Sequence, residues 1–294
     1  MAWFQKKSLY LQNITQCVTF CNFELMENTT SSTYNYLDKY LTEIRAQGRY
    51  DFTLDKLTRE FDLSYSALKQ NLYRLKLKKE IIQIRQGFYV IIPPEYSKQG
   101  FLPPYLYIDD LMKWLGKPYY VGLLSAAALY GAAHQQPMGY TVMVQSPAPR
   151  NVEKLKISFF SKKEFLHEGI VRKKTPAGDI PVSSPELTAL DFFDYIHKFG
   201  INQTATVLQE LAEEMKAAPL LKIAGQYPNT TAIQRLGYIL ETEIGEEKLS
   251  NSLWKVLRER VFFPVPLSPQ KGKKGEINNK WKIIKNTEIE GDLW

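Results

Sequence analysis

Residues 53–92 constrain the fold more than any other part of the chain. "FTLDKLTREF" offers Leu54, Leu57 and Phe61 to a core, behind a Thr53 able to cap a helix start. Only "DLS" separates it from a second apolar stripe, Leu68, Leu72 and Leu75, for which Ser64 supplies the same kind of cap. Then β-branched and aromatic residues in "IIQIR" and "FYVII" flank Gln86-Gly87, where glycine meets the positive φ of a tight turn. Upstream, Tyr36, Leu37, Tyr40, Leu41 and Ile44 recur at helical spacing, and Gly48 closes that helix. Helix, helix, basic helix and hairpin predict a winged helix-turn-helix over residues 33–93.

The second of the two closely joined helices is also where charge concentrates. Between Ser64 and Ile92 stand Lys69, Arg74, Lys76, Lys78, Lys79 and Arg85 against Glu80 alone. At about 100° per residue, Ser66, Gln70, Tyr73 and Arg74 project opposite the leucine stripe, with Lys69 and Lys76 on one flank. Leu77 also points outward, so either the helix ends there or the hairpin covers it. Amide and guanidinium groups pair with purine edges, whereas lysines neutralise phosphate. The residues expected on DNA are Ser64, Tyr65, Ser66, Lys69, Gln70, Tyr73, Arg74, Lys76, Lys79, Arg85 and Gln86. The plainer alternatives are a solvated helix face and a wing used for protein contact.

Composition narrows the rest. A chain of 294 residues with 44% hydrophobic residues has room for about two domains and a real core. Its net charge of +7 suits a polyanionic partner without requiring one. Both cysteines, Cys17 and Cys21, lie far from His134, His167 and His197, so neither a disulfide framework nor a zinc site is expected. Residues 1–25 make a poor signal peptide, because Gln12, Asn13, Thr15 and Gln16 interrupt the apolar stretch. They read as a misassigned extension ahead of Met26 or as part of a disordered lead spanning 1–32. The longest apolar run falls short of the roughly 20 residues that span a bilayer, and a cytoplasmic protein is expected.

A proline-rich linker is expected at 94–105, and a mixed α/β domain over 106–294, which makes the fold class α+β. The alanine-rich "YYVGLLSAAALYGAAHQQP" reads as a tightly packed core helix ending in a polar cluster. Strands are predicted over 140–145, 156–161, 169–174 and 179–183, and helices near 107–115, 185–199, 201–217, 229–242 and 246–258. The last segment reads as a loop, a lysine cluster and one strand. Lys271, Lys273, Lys274, Lys280, Lys282 and Lys285 there are either a solvated flexible loop or a supplementary nucleic-acid contact. No glycine-rich phosphate loop, G-x-S-x-G elbow or H-E-x-x-H helix occurs. Asp191 and Asp194 read as ordinary polar positions, and Asp109-Asp110 as a helix start. No catalytic residue, metal or cofactor is therefore expected; a DNA-targeted nuclease or nucleotidyltransferase is the enzymatic alternative.

The block "YYVGLLSAAALYGAAHQQP", with "QRLGYILE" and "VPLSPQKGKKGEINNKWKIIKN" further on, resembles the AbiEi-type antitoxins of bacterial abortive-infection systems. The residues that carry the resemblance are Tyr120, Gly122, Ser125, Ala126, Tyr130, Gly131, His134 and Gln135. It extends over roughly 33–286, and residues 1–25 have no counterpart in it. It implies an N-terminal domain that binds inverted repeats of its own promoter in double-stranded DNA and represses the operon. The C-terminal domain would counter a nucleotidyltransferase-like toxin without a stable complex, the type IV arrangement used in phage defence. Two related half-sites would require two protomers, in solution or assembled on the DNA. A transcriptional regulator with no toxin partner is the alternative.

Overall fold

A computed structural model describes residues 36–61, 64–132 and 137–289. The lead over 1–32, with Met26 and both cysteines, lies outside the described residues, as do His134 and Gln135. The chain divides into two compact units, one up to Pro103 and one from Pro104.

In the first unit, helix α1 covers 36–46 and turns at Gly48, φ +72°. Strand β1 (Asp51–Thr53) leads into α2 (Leu54–Glu60), and α3 spans Tyr65–Leu77. The hairpin is β2 (Ile81–Arg85) and β3 (Phe88–Ile91). Thr53 Oγ1 accepts from the Lys56 N–H and Ser64 Oγ from the Ala67 N–H, each at 3.3 Å, so both caps form as the side-chain types dictate. The "DLS" turn itself falls largely on residues 62–63, outside the described set. Arg85 pairs with Phe88 across Gln86-Gly87, and Gly87 takes φ +89°. Strand β1 was not expected: its three residues are too few to show an alternating pattern. It pairs antiparallel with β3, giving the sheet order β1-β3-β2. Leu37, Leu41, Leu57, Leu68, Leu72 and Leu75 meet Phe52, Ile81 and Tyr89 in one core.

The end of α3 resolves the position of Leu77. The Glu80 N–H donates to the Leu75 carbonyl at 3.0 Å and the Lys79 N–H to the Lys76 carbonyl at 3.1 Å. This is a Schellman closure, with Lys79 in the left-handed position (φ +59°) usually given to glycine. Leu77 is therefore the last helical residue, and it is 65% exposed.

The second unit is mixed α and β. Helix α4 (Ile108–Trp114) precedes β4 (Tyr119–Val121) and α5 (Leu123–Leu129). Strands β5 (Tyr140–Gln145), β6 (Ile157–Lys162), β7 (Ile170–Thr175) and β8 (Gly178–Ser183) complete a five-stranded sheet ordered β6-β5-β4-β8-β7. Pairing is parallel for β5/β6 and β4/β8 and antiparallel for β4/β5 and β7/β8. The helices are α6 (Pro185–Asp194), α7 (Ile196–Phe199), α8 (Ile201–Glu214), α9 (Ala217–Gln226), α10 (Thr230–Ile239) and α11 (Glu247–Leu257), with a π turn at Leu240–Ile244. A small sheet of β9 (Val265–Pro266), β10 (Glu276–Asn278) and β11 (Ile283–Lys285) follows.

Three sequence expectations are corrected here. The alanine-rich block is not one helix: Tyr119, Tyr120 and Val121 are buried as a strand, and a seven-residue helix begins after Gly122. A Cβ on Gly122 would stand 2.5 Å from Met143 Cγ, so the strand-to-helix corner needs glycine. Helix α9 lies in the gap left between the helices expected over 201–217 and 229–242; Pro219 sits in its first turn, where a missing N–H costs nothing. The C-terminal segment has three strands rather than one, anchored by buried Trp281 against Gly237, where a Cβ would meet the indole at 2.0 Å.

Candidate nucleic-acid interface

Helix α3 carries no acidic residue. Ser64, Tyr65, Ser66, Lys69, Gln70, Tyr73 and Arg74 are all exposed, while Leu68, Leu72 and Leu75 are buried beneath them. Lys69 lies 4.4 Å over the Tyr65 ring, and Lys76 Nζ donates to Gln83 Oε1 at 3.4 Å. Between α3 and the hairpin runs a groove of about 460 Å³ lined by Tyr65, Lys69, Gln70, Tyr73, Lys76, Gln83 and Gln86. Gln83 was not singled out from the sequence. Strict alternation would have set Gln83 on the face of buried Ile81; the strand's register shifts between Gln83 and Arg85, and no local sequence signal marked Gln83 as exposed.

Other expected residues stand apart from this groove. Ser66 and Arg74 are exposed but do not line it. Lys79 lines a second groove with Asp38, Arg45, Lys78 and Glu80. Arg85 is half-buried; burial holds its guanidinium below its usual pKa, and its Nη1 donates to the Ile84 carbonyl at 3.4 Å. Gln86 is the exposed tip of the hairpin.

In the second unit the block residues are chiefly architectural. Ser125 Oγ accepts from the Thr141 N–H at 2.8 Å, joining α5 to β5. Ala126 is fully buried. Tyr130 donates to the Ser183 carbonyl at 3.0 Å, and its ring lies under Lys173. Gly131 takes φ +78° just beyond α5. Tyr120 leads into a buried network, where its hydroxyl donates to Asp191 Oδ2 at 2.7 Å.

That network corrects the reading of the α6 carboxylates as ordinary polar positions. Asp191 is fully buried, because residues 186–193 of α6 are enclosed on every side. Lys162 Nζ donates to Asp191 Oδ1, to Asp194 Oδ2 at 3.1 Å and to the Tyr227 hydroxyl at 2.7 Å. Asn229 Nδ2 donates to Asp194 Oδ1. Burial pulls the Lys162 ammonium down, but the two carboxylates outweigh it and set its pKa above the usual value. Burial and the same carboxylates keep the Tyr120 and Tyr227 phenols protonated. All three ammonium hydrogens of Lys162 are used, while Asp194, with its side chain 20% exposed, opens the edge of the network to a pocket lined by Ser161, Lys163, Glu164, Tyr195 and Asn229. Among the described residues, no group of three or more His, Cys, Asp or Glu is placed to hold a metal.

The C-terminal lysines also differ from one another. Lys271, Lys273 and Lys274 are exposed, but Lys280 pairs with Glu241 at 2.6 Å and Lys282 Nζ donates to the Phe262 carbonyl at 3.0 Å. The cluster is not a uniformly loose loop. Among the described residues, no helix is long and apolar enough to cross a membrane.

Comparison with known proteins bears on the second unit most directly. Residues 120–242 match the family model of the AbiEi antitoxin C-terminal domain, a span from β4 to the π turn that includes the whole Lys162 network. No curated protein matches the chain. The crystal structure of the RV2827C protein from Mycobacterium tuberculosis has a similar fold, with a TM-score of 0.61 at 16% identity over 85% of this chain and 90% of that one. Residues 120–242 are thus similar to the AbiEi antitoxin C-terminal domain, a match over less than half of the chain.

Proposed function

We propose that the chain is a cytoplasmic, non-enzymatic autorepressor and antitoxin of a bacterial toxin–antitoxin system. The first unit has the element order of a winged helix-turn-helix, with α3 as the reading helix and the β2-β3 hairpin as the wing. The observation that carries the DNA reading is the acid-free, fully solvated outer face of α3 beside a groove lined by cations and amides. Amides and guanidinium would meet base edges of inverted repeats in the chain's own promoter, and lysines the flanking phosphates. The family match supports the second role, protection against a partner toxin of the nucleotidyltransferase type without a lasting complex. Two half-sites would recruit a monomer from solution as a pair on the DNA.

The two roles separate genetically. Full-length chain carrying Lys69→Ala, Gln70→Ala and Tyr73→Ala should lose repression of a reporter behind its promoter yet still protect cells expressing the adjacent gene. Retained repression would remove α3 from DNA binding. Loss of protection with normal protein levels would show that the roles are not divided between the units, and stable co-purification with the toxin would replace the type IV route by sequestration.

A further inference from the structure

The outer face of α3 is not the polar surface that a solvated helix carries. Ser66, Gln70, Tyr73 and Leu77 follow one another at intervals of four, three and four residues, so they form one stripe opposite the buried leucines. Its second half is apolar, with Tyr73 59% and Leu77 65% exposed. Lys69 and Lys76 border the stripe on one side, Arg74 and Lys78 on the other. A row of carbon between two rows of cations is the complement of a major groove, whose floor of base edges lies between two phosphate backbones. A second copy of the chain is a poor occupant, because it would set these cations against their own kind.

The major groove offers one apolar group, the C5 methyl of thymine. Tyr73 and Leu77 lie one turn apart, about 6 Å along the helix axis, and steps within a strand are about 3.4 Å. The pair therefore spans roughly two base steps. We propose that Tyr73 and Leu77 read thymine methyls, so that each operator half-site places thymines under the C-terminal half of α3. This rests on the DNA-binding reading above and adds the base class to it.

The test uses the promoter fragment ahead of the gene, prepared once with thymine and once with deoxyuridine throughout, so that only the methyls differ. Burying one methyl is worth on the order of a fourfold change in affinity. The wild-type chain should bind the deoxyuridine fragment about fourfold more weakly for each methyl contacted, and Leu77→Ala should lose about fourfold of that preference. Equal wild-type affinity for the two fragments would overturn the inference while leaving DNA binding intact. Leu77→Ala and Tyr73→Ala both keeping the full preference would also overturn it. No binding to either fragment at low salt would instead remove the DNA reading itself. Self-association without DNA that Leu77→Ala abolishes would assign the stripe to a second copy.

Discussion

Helices α3 and α6 look alike in sequence and end in opposite situations. Each has an apolar stripe at helical spacing and charged residues between the stripe positions. Around α3, core packs on one side only, and Lys69, Gln70, Tyr73 and Arg74 remain in water. Around α6, sheet and helices close on all sides, and Asp191 must find Lys162, Tyr120 and Tyr227 to be buried at all. The sign and spacing of charges do not reveal which case applies. The number of layers packed on the helix does. Exposed charge without a counter-charge is available to a ligand, whereas buried charge with every hydrogen used holds the domain together.

The comparison breaks most readily at α6. Asp191→Ala leaves the Lys162 ammonium buried with part of its compensation removed, and should cost about 3–5 kcal/mol of stability in a urea titration. A loss below about 1 kcal/mol would show that the network does not hold the fold. Alkali should attack the same point. The Lys162, Tyr120 and Tyr227 pKa values are all raised, so the stability they provide is complete below their ordinary values of 10.5 and 10.0. It is lost as pH rises past about 10 through the folded values. Unfolding midpoints followed from neutral pH upward should fall there, and less so in a Lys162→Met, Asp191→Leu double variant.

Substitutions on α3 should do the reverse, sparing the fold and changing the ligand. Arg74→Ala should weaken operator binding by about 1–3 kcal/mol if the guanidinium reads a base, while the unfolding midpoint stays within about 0.5 kcal/mol of wild type. Equal losses on operator and random duplex would assign Arg74 to phosphate. The smallest effect belongs to Lys79, whose left-handed φ of +59° suits glycine. Lys79→Gly should raise stability by roughly 1 kcal/mol and weaken all duplexes alike. A stability loss would mean that the Lys79 side chain contributes more to the fold than its strained backbone costs.

Much of the first unit was legible because its signals are local. Capping residues, the leucine stripe and Gln86-Gly87 each act within a few positions, and α3 and the hairpin formed where they predicted. Strand β1 was not legible, since three residues gain their conformation only from β3. In the second unit, β5 was legible as a short β-branched and apolar run, buried on both faces, but the Tyr119–Val121 strand was hidden by the alanines that follow it. The Lys162 network joins residues separated by up to 71 positions, and no local pattern marks such a meeting. The expected interface was legible as a composition but not as a shape. Arg74 shares the helix with Lys69 and Tyr73, and Lys79 lies just beyond its end, yet neither shares their groove.

The proposed repressor function depends first on the outer face of α3 meeting a duplex through exposed cations. Its most direct test is the equilibrium affinity of the purified chain for its promoter fragment across a salt series. The logarithm of affinity should fall linearly with the logarithm of salt, at about 0.9 per phosphate neutralised, and Lys69→Ala should reduce the slope by about one contact. An affinity indifferent to salt, or no binding in the most dilute buffer, would contradict it.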